Sequence, residues 1–509
     1  MELQTATVLF FLLPFIIIFI FFFFFKPVDK PIIRRSKLAP GPWKLPLIGN
    51  MHQLVGAATH RALRDLARKH GPIMHLKLGE IPAIVISSPR LAKEVLKTHD
   101  LAFADRPQCL VSKIMFFNQA DIAFSPYGDC WRQMRRICIV ELLGPKSIRS
   151  FQFIREEEVW KLVESVQYSL GSAVNVTEKL LSTAISITFR TAFGKRFKGD
   201  RELMNLLKEA VSWVGAFDVS DLFPSLKLLH PLSRMKPKLE KMRHEMGRII
   251  QELIVERRDS RASSNGREEN GGSCEGNILD VLIRLQDSGS DLDLPITDDN
   301  IHGVILDVFL AGADTTAITI EWAISEMIRN PKVMERAVAE LRLALKGKNR
   351  VHESDIKGLS YLKMVIKETL RLHPPAPLLL PRECREAREI DGFAVPIKTH
   401  LLINAWAIGT DPEYWQDPES FIPERFENSS FDFIGNEYEY IPFGAGRRAC
   451  PGMSYGLANV ELALAQLLHH FNWVLPYGMK PEDLDMTETS GAAAKRRNDL
   501  YLIPTQCND

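Results

Sequence analysis

Residues 442–452, with the sequence PFGAGRRACPG, constrain the fold of this chain more than any other stretch of similar length. Cys450 follows a glycine-rich turn and precedes Pro451, a residue suited to the first position of a helix. The following residues, GLANVELALAQLLHHF from Gly456, have the apolar spacing of a helix. Cys450 is therefore predicted to lie at a helix N-terminus, where backbone N–H groups stabilise a thiolate.

A lone thiolate restricts the metal centres that this chain can hold. The seven cysteines, at positions 109, 130, 138, 274, 384, 450 and 507, are scattered and form no CxxC pair, so zinc and iron–sulfur sites do not fit. One thiolate suffices for haem, because the porphyrin supplies the four in-plane ligands of the iron. Arg448 would then pair with a haem propionate. We predict haem b with Cys450 as the iron ligand.

The N-terminus has the character of a membrane segment. Residues 8–25 are 18 apolar residues without a charge, which is enough to span a bilayer. A cleaved signal peptide is the alternative, but it needs a basic start and a small-residue cleavage site. Basic residues follow the run and place that side in the cytoplasm. We predict a transmembrane anchor over 1–25, a basic, proline-rich linker over 26–46, and a cytosolic catalytic domain over 47–509.

The remaining sequence predicts a mainly α fold with small β-sheets. Residues 72–88 have strand-like alternation with turns, and most other long segments have helical spacing. The net charge of +1 gives no reason to expect a nucleic-acid partner. The longest helix is predicted to begin after Thr297 and to end before Pro331, about 32 residues or about 48 Å at the standard rise. A helix of this length crosses a whole domain, so its middle is expected to be buried.

The middle of that helix carries the unusual sequence AGADTT, residues 311–316. Gly312 weakens the helix, and Asp314 places a charge where burial is costly. Thr315 and Thr316 offer hydroxyls to the preceding turn or to a ligand. One interpretation is a kink with a satisfied aspartate. The other is a groove over a ligand, in which a proton-handling acid lies beside a hydroxyl.

Together these motifs resemble those of the cytochrome P450 family, and the resemblance covers essentially the whole chain. The haem-loop spacing is carried by Phe443, Gly446, Arg448, Cys450 and Gly452. AGADTT resembles the central-helix motif of the family. The ion-pair network of the family is matched by Glu368 and Arg371 in KETLRLHPP and Arg425 in FIPERF. The resemblance implies a cytochrome P450 fold with an N-terminal membrane anchor helix.

The resemblance also implies further contacts with haem. Trp131 and Arg135 in WRQMR, and Arg106 and Arg382, match positions that reach the propionates. For Arg106 and Arg382 a simple surface arginine is the alternative. A basic patch on the thiolate side would suit an acidic electron donor, although a solvated face explains it nearly as well; its residues are Arg132, Arg136 and Arg447.

The chemistry that the resemblance implies is monooxygenation, in which one oxygen atom of O₂ enters an apolar substrate. NADPH-cytochrome P450 reductase in the endoplasmic reticulum membrane would supply two electrons. Asp314 would relay protons from solvent, and Thr315 would help to pass them on. The alternatives are rearrangement of a fatty-acid peroxide, haem-dependent gas sensing, and a purely structural membrane protein. NADPH-dependent turnover separates all three from a monooxygenase.

The substrate is predicted from resemblance to plant cytochromes P450 of specialised metabolism, especially their terpenoid-oxidising branches. We expect hydroxylation or epoxidation of a sesquiterpene or diterpene, and oxidation of an alkaloid or phenolic is the alternative. Small alanines beside larger apolar side chains leave room for a bulky, weakly polar substrate. The predicted pocket residues are Phe116, Phe117, Phe309, Ala313, Pro377, Leu378, Leu379, Ala492 and Ala493.

Overall fold

The structure of the protein is a computed structural model that describes residues 37–507 except 57, 196–205, 207, 212, 214, 227–232, 264–275, 290–291 and 490. The predicted anchor, and residues 26–36 of the predicted linker, lie outside the described residues. Residues 37–46 of that linker lie against the domain. Lys37 forms a bridge with Phe393, and the backbone N–H of His75 donates to the carbonyl of Pro40 over 2.8 Å.

The described helices surround one long central helix. In chain order they are α1 (Thr59–His70), α2 (Pro89–Lys93), α3 (Leu110–Met115), α4 (Asp129–Ile137), α5 (Pro145–Ser150), α6 (Gln152–Gln167), α7 (Val176–Phe193), α8 (Val219–Leu222), α9 (Met235–Ser263), α10 (Ile278–Ser288), α11 (Asp298–Arg329), α12 (Pro331–Ala344), α13 (Ser360–Leu372), α14 (Ala405–Gly409) and α15 (Met453–His470).

The strands form three small sheets. They are β1 (Ile73–Leu78), β2 (Ile81–Ile86), β3 (Val174–Asn175), β4 (Arg382–Glu383), β5 (Arg388–Ile390), β6 (Phe393–Val395), β7 (His400–Ile403), β8 (Phe471–Val474) and β9 (Tyr501–Gln506). The largest sheet has the order β1-β2-β7-β4, and only its β2–β7 pair is parallel. The other sheets are β3-β9-β8 and β5-β6. The strands predicted in 72–88 are confirmed, and the structure shows that they pair as the antiparallel β1–β2 hairpin.

Helix α11 begins and ends where its sequence predicts. Thr297 accepts a hydrogen bond from the backbone N–H of Asn300 over 3.2 Å, which satisfies one of the free N–H groups of the first turn. The helix has 32 residues and ends at Arg329, before Pro331. Among the described residues it alone is long and apolar enough to cross a membrane, but 78% of its most apolar window is buried. It is the core helix of the domain, packed between α7 and α15.

The Cys450 segment joins two hydrophobic cores. The larger core surrounds α11, and the partly buried Phe443 packs against it. A smaller core lies beside the four-stranded sheet, and Ala445 belongs to it. The residues before Cys450 therefore bridge the helical and the sheet-containing parts of the domain.

Candidate active site

Glycines with positive φ shape the loop before Cys450. Gly444 and Gly446 have φ values of +68° and +70°, which glycine adopts without the steric cost of a side chain. A β-carbon on Gly446 would lie 2.3 Å from the carbonyl oxygen of Leu96, so this position also excludes other residues by contact. The backbone N–H of Cys450 donates to the carbonyl of Phe443 over 2.9 Å and closes the loop.

Cys450 combines solvent accessibility with desolvation of its thiol. The residue has a large accessible surface. Burial nevertheless raises the pKa of its thiol, although the backbone N–H of Gly452 and the charge of Arg135 lower it. Exposure together with desolvation is expected of a side chain that faces an enclosed cavity. The N–H of Gly452 and the guanidinium of Arg135 are the groups that stabilise the thiolate form.

Four arginines lie near one another on the same side of the domain: Arg106, Arg135, Arg382 and Arg448. Burial, followed by the charge of Arg382, lowers the pKa of Arg448 to about 9. The pKa of Arg106 is lowered well below its usual range by burial and then by Arg448 and Arg382. Arg382 and Arg135 also have lowered pKa values, with burial as the main cause in each.

Backbone carbonyls accept most of the hydrogen bonds from these arginines. Arg448 donates to the carbonyls of Ala104, Ile122 and Ser125 over 2.8, 3.1 and 2.6 Å. Arg106 donates to the carbonyls of Ala123, Leu380 and Pro381 over 2.7 to 2.8 Å, and Arg135 donates to that of Ala449. Carbonyl groups leave the positive charge of the cluster largely uncompensated.

The cluster fits a dianionic ligand beside Cys450. Arg382 has a carboxylate partner, Asp100, at 2.8 Å, whereas burial raises the pKa of the nearby Asp121 to about 7. Asp105 is a further carboxylate near Arg448, but the four cations still outnumber the carboxylates around them and match the two propionates of haem. The indole N–H of Trp131 donates to the carbonyl of Ile122 over 3.0 Å, and its predicted contact with a propionate stays a prediction. The Trp131 ring packs under the Arg448 guanidinium, 4.2 Å from the ring centroid.

The middle of α11 has one face that is partly accessible. Ala311 is exposed and Thr315 is half-buried, although most of their neighbours on this helix are buried. The Thr315 hydroxyl donates to the carbonyl of Ala311 over 2.5 Å. The Thr316 hydroxyl donates to the carbonyl of Gly312 over 2.7 Å and faces Gly456 of α15. Helix α15, which follows Cys450, therefore packs beside this turn of α11.

Asp314 has a lysine partner that the sequence did not suggest. Its Oδ1 lies 2.6 Å from Nζ of Lys495, and only 8% of its side chain is exposed. Burial raises the pKa of Asp314, and Lys495 opposes the shift by its charge and its hydrogen bond. The aspartate is therefore satisfied, as the first interpretation of AGADTT required, and the proton-handling role of the second interpretation stays a prediction.

Phe309 and Ala313 lie on a different face of α11 from Ala311 and Thr315, and their place in the substrate pocket stays a prediction. Residues two apart on a helix differ by about 200° in direction. Phe309 packs against Phe189 and Phe193 of α7. Phe309 and Ala313 line a separate cavity with Asp314 and Lys495.

The other predicted pocket residues lie on several elements. Phe116 packs against Phe124, and Phe117 against His302 of α11, with ring centroids 4.6 and 4.9 Å apart. Leu379, with φ of +54°, approaches the position of Gly444 in the Cys450 loop. Pro377 is buried, Leu378 and Ala493 are partly buried, and Ala492 is exposed and lies beside Gly215.

Glu368, Arg371 and Arg425 come together as a buried cluster. Arg371 contacts both carboxylate oxygens of Glu368 at 2.7 and 2.8 Å. Arg425 contacts Glu368 at 2.9 Å. The other hydrogen bonds of Arg371 reach the carbonyls of Gly409, Pro418 and Ser420. The cluster therefore fixes residues 409–425 directly, and the Cys450 loop follows that segment.

The contacts of two carboxylates, Asp100 and Asp307, were not predicted from the sequence. Asp100 joins Arg382 to the Cys450 loop, because it also accepts the backbone N–H of Arg447 over 2.9 Å. Asp307 of α11 accepts the N–H of Ile122 over 2.7 Å. Burial, and then the charge of Asp121, raises the pKa of Asp307 well above its usual range. No local motif announces either contact, because the partners are distant in sequence.

Comparison with known proteins identifies the family. The family model described as Cytochrome P450 matches residues 39–502. Premnaspirodiene oxygenase of Hyoscyamus muticus is 53% identical over 92% of this chain and 93% of its own length. Amorpha-4,11-diene 12-monooxygenase of Artemisia annua is 51% identical over 92% and 93%. A zebra fish cytochrome P450 structure with progesterone is 25% identical, covers 88% of this chain and 100% of its own, and has a TM-score of 0.75.

The chain therefore belongs to the cytochrome P450 family, and it is a haem-thiolate monooxygenase. Members of the family use haem, take electrons from a redox partner and act with O₂ on apolar substrates. The predicted cofactor and reaction class are confirmed by membership of the family. The roles of individual site residues stay predictions.

Proposed function

We propose that this enzyme hydroxylates or epoxidises a sesquiterpene. The named substrates of both relatives are sesquiterpene dienes, and identity above 50% over more than nine-tenths of the chain carries this proposal. The balanced reaction consumes substrate, O₂, NADPH and a proton. It yields the oxygenated product, water and NADP⁺.

We further propose NADPH-cytochrome P450 reductase as the electron donor and the endoplasmic reticulum membrane as the location. The apolar run at 8–25 supports a single-pass anchor with a cytosolic domain. Arg132 and Arg447 are about half exposed, and Arg136 is exposed. Ile139 and Val140, close to Arg136 in sequence, are exposed as well. A basic surface with apolar residues fits an acidic, partly apolar partner.

In this proposal Cys450 holds the haem iron, and Arg106, Arg135, Arg382 and Arg448 bind the propionates. Bound haem supplies the activation of O₂ and cleavage of its O–O bond with two electrons and two protons. The Cys450 loop holds its thiolate with the Gly452 N–H and the Arg135 charge. With haem bound, the arginines would exchange some of their carbonyl contacts for contacts with the haem propionates. The negative charge of the propionates would balance that of the arginines.

Protons reach the site through α11 in the same proposal. Asp314 exchanges protons with the cavity on its side of the helix. The Thr315 hydroxyl lies one turn from the exposed Ala311, so that Thr315 presents a proton donor on that face of the helix. In this proposal the supply of protons to the site depends on these two side chains.

The test is product formation in microsomes that hold this chain and a plant reductase. Premnaspirodiene, amorpha-4,11-diene and a pool of alkaloids and phenolics are supplied separately, and products are identified by mass spectrometry. We expect NADPH-dependent gain of one oxygen atom on a sesquiterpene. Oxygenation confined to the alkaloid and phenolic pool would contradict the sesquiterpene proposal.

Cys450→Ala tests the thiolate assignment. We expect loss of the red-shifted Soret band of the reduced carbon-monoxide complex, because alanine provides no thiolate to the iron. Cys130→Ala is the matched control, since Cys130 is also an exposed free cysteine. If Cys450→Ala retained the red-shifted band, the assignment of Cys450 as the iron ligand would be wrong.

A further inference from the structure

Asp100 is a nearly fully buried carboxylate that lies between two arginines. Only 4% of its side chain is exposed. Its Oδ1 accepts a hydrogen bond from Nη1 of Arg382 over 2.8 Å. Its Oδ2 accepts from the backbone N–H of Arg447 over 2.9 Å and from Nη1 of the same residue over 3.0 Å. One oxygen therefore contacts the arginine cluster, and the other contacts the Cys450 loop.

The backbone of the Cys450 loop is shaped to approach this carboxylate. Gly446 has a φ of +70°, and a β-carbon there would lie 2.8 Å from Oδ1 of Asp100. On one side of Gly446, the carbonyl of Ala445 accepts from Nη2 of Arg382 over 2.9 Å. On the other side, the N–H of Arg447 donates to Asp100. The pair of Asp100 and Arg382 therefore holds the turn before Cys450 at both residues that flank its glycine.

Arg447 connects the buried carboxylate to the surface. Its side chain is 49% exposed, whereas that of Arg382 is 5% exposed. Hydrogen bonds to Asp100 and then to Tyr127 raise the pKa of Arg447, so it is a cation throughout the working pH range. From the surface inwards the charges are those of Arg447, Asp100 and Arg382.

We infer that Asp100 is a positioning residue that holds Arg382 for a haem propionate, and that its negative charge, partly offset by Arg447, lowers the reduction potential of the bound haem. This inference rests on the proposed role of Arg382 as a propionate ligand. A nearby negative charge favours the ferric state, because that state carries one more positive charge than the ferrous state. Burial keeps salt from screening the effect of Asp100.

The experiment is a spectroelectrochemical titration of the full-length holoenzyme without a reductase. Asp100→Asn removes the charge but has nearly the same size and keeps one oxygen acceptor. We expect the ratio of ferrous to ferric haem at a fixed applied potential to rise about tenfold. For a one-electron couple this is a rise of about 59 mV in the midpoint potential.

Arg447→Gln should move the midpoint potential in the opposite direction. It removes the cation that offsets Asp100 and leaves the backbone N–H in place. The fall should be smaller than the rise in Asp100→Asn, because the Arg447 side chain is half exposed and therefore screened. This surface variant tests the charge effect even if Asp100→Asn fails to fold. Asp129→Asn is the matched control, since Asp129 is 75% exposed and pairs with the exposed Arg132; its midpoint should equal that of the wild type.

The outcomes separate the charge effect from a general loosening of the loop. A midpoint in Asp100→Asn that equals or lies below that of the wild type overturns the inference. Shifts of the same sign in Asp100→Asn and Arg447→Gln also overturn it, because only a change of charge moves the two variants in opposite directions.

Arg382→Gln tests the proposed propionate contact separately. We expect a lower midpoint potential and faster transfer of haem to apomyoglobin, because a cation that holds a propionate is lost. A wild-type midpoint together with a wild-type transfer rate would overturn the role of Arg382 and the positioning role of Asp100. The opposite shifts in Asp100→Asn and Arg447→Gln would still establish the charge effect of Asp100.

Discussion

At the scale of single residues, Thr315 and Thr316 are adjacent threonines on α11 whose side chains face different parts of the structure, so we expect different roles for them. Both hydroxyls donate to the carbonyl four residues earlier, but Thr315 lies on the face of the exposed Ala311 and Thr316 faces α15. We expect Thr315→Ala to lower product per NADPH by about tenfold or more, with peroxide released instead. The measurement is product, peroxide and NADPH in one reaction. Thr316→Ala is the control, and equal losses in both variants would contradict the special role of Thr315.

At the scale of elements, the Glu368 cluster ties α13 to residues 409–425. Glu368 and Arg371 are fully buried, and Arg425 is 11% exposed. Breaking a buried pair leaves a buried charge without its partner and costs about 3–5 kcal/mol. We expect Glu368→Gln to lower the thermal unfolding midpoint by several degrees and to reduce haem retention. Glu419→Gln, which removes an exposed partner of Arg64, should change stability by about 1 kcal/mol or less. Equal unfolding midpoints for the two variants would contradict the proposed role of the Glu368 cluster in stabilising residues 409–425.

At the scale of the whole molecule, a buried acid–histidine cluster joins three parts of the fold. Glu488 lies 3.0 Å from His60 of α1 and 3.5 Å from His373 at the end of α13, and His373 lies 2.7 Å from Glu326 of α11. Burial opposes protonation of His373, but Glu326 and Glu488 outweigh it and raise its pKa. Despite burial, His373, His60 and Arg61 hold the pKa of Glu488 well below its usual range, and Nε of Arg61 donates a hydrogen bond to Glu488 over 3.0 Å.

The pH dependence of stability follows from these two shifts. The contribution of His373 is fully present below its unfolded pKa of about 6.5 and is lost as the pH rises through its higher folded pKa. The contribution of Glu488 is present above about pH 4.5 and is lost only at strongly acidic pH. We expect the unfolding midpoint to fall as the pH rises above the neutral range, and Glu488→Gln to weaken that fall. A midpoint that rises over this range would contradict the assignment to His373.

Local sequence was sufficient for the features that depend on neighbouring residues. The start of α11 after Thr297, its end before Pro331, the strands in 72–88 and the mainly α class were all predicted and are confirmed by the structure. Glu368 and Arg371 are three residues apart on one helix, so their contact also follows from helical spacing. The Cys450 loop is determined by glycines whose positive φ values other residues adopt at a cost.

Only the tertiary structure decided which distant side chains meet. Asp314 and Lys495 are separated by 181 positions, and Asp307 and the N–H of Ile122 by 185; nothing in the local sequence of either partner encodes the other. The face of α11 that carries Phe309 could not be deduced, because the orientation of a helix about its axis depends on the elements packed around it. The sequence by itself determined the family, the haem chemistry and the elements, since these depend on local motifs. Packing determined the partners of each charge, because burial and charge pairing depend on contacts between elements.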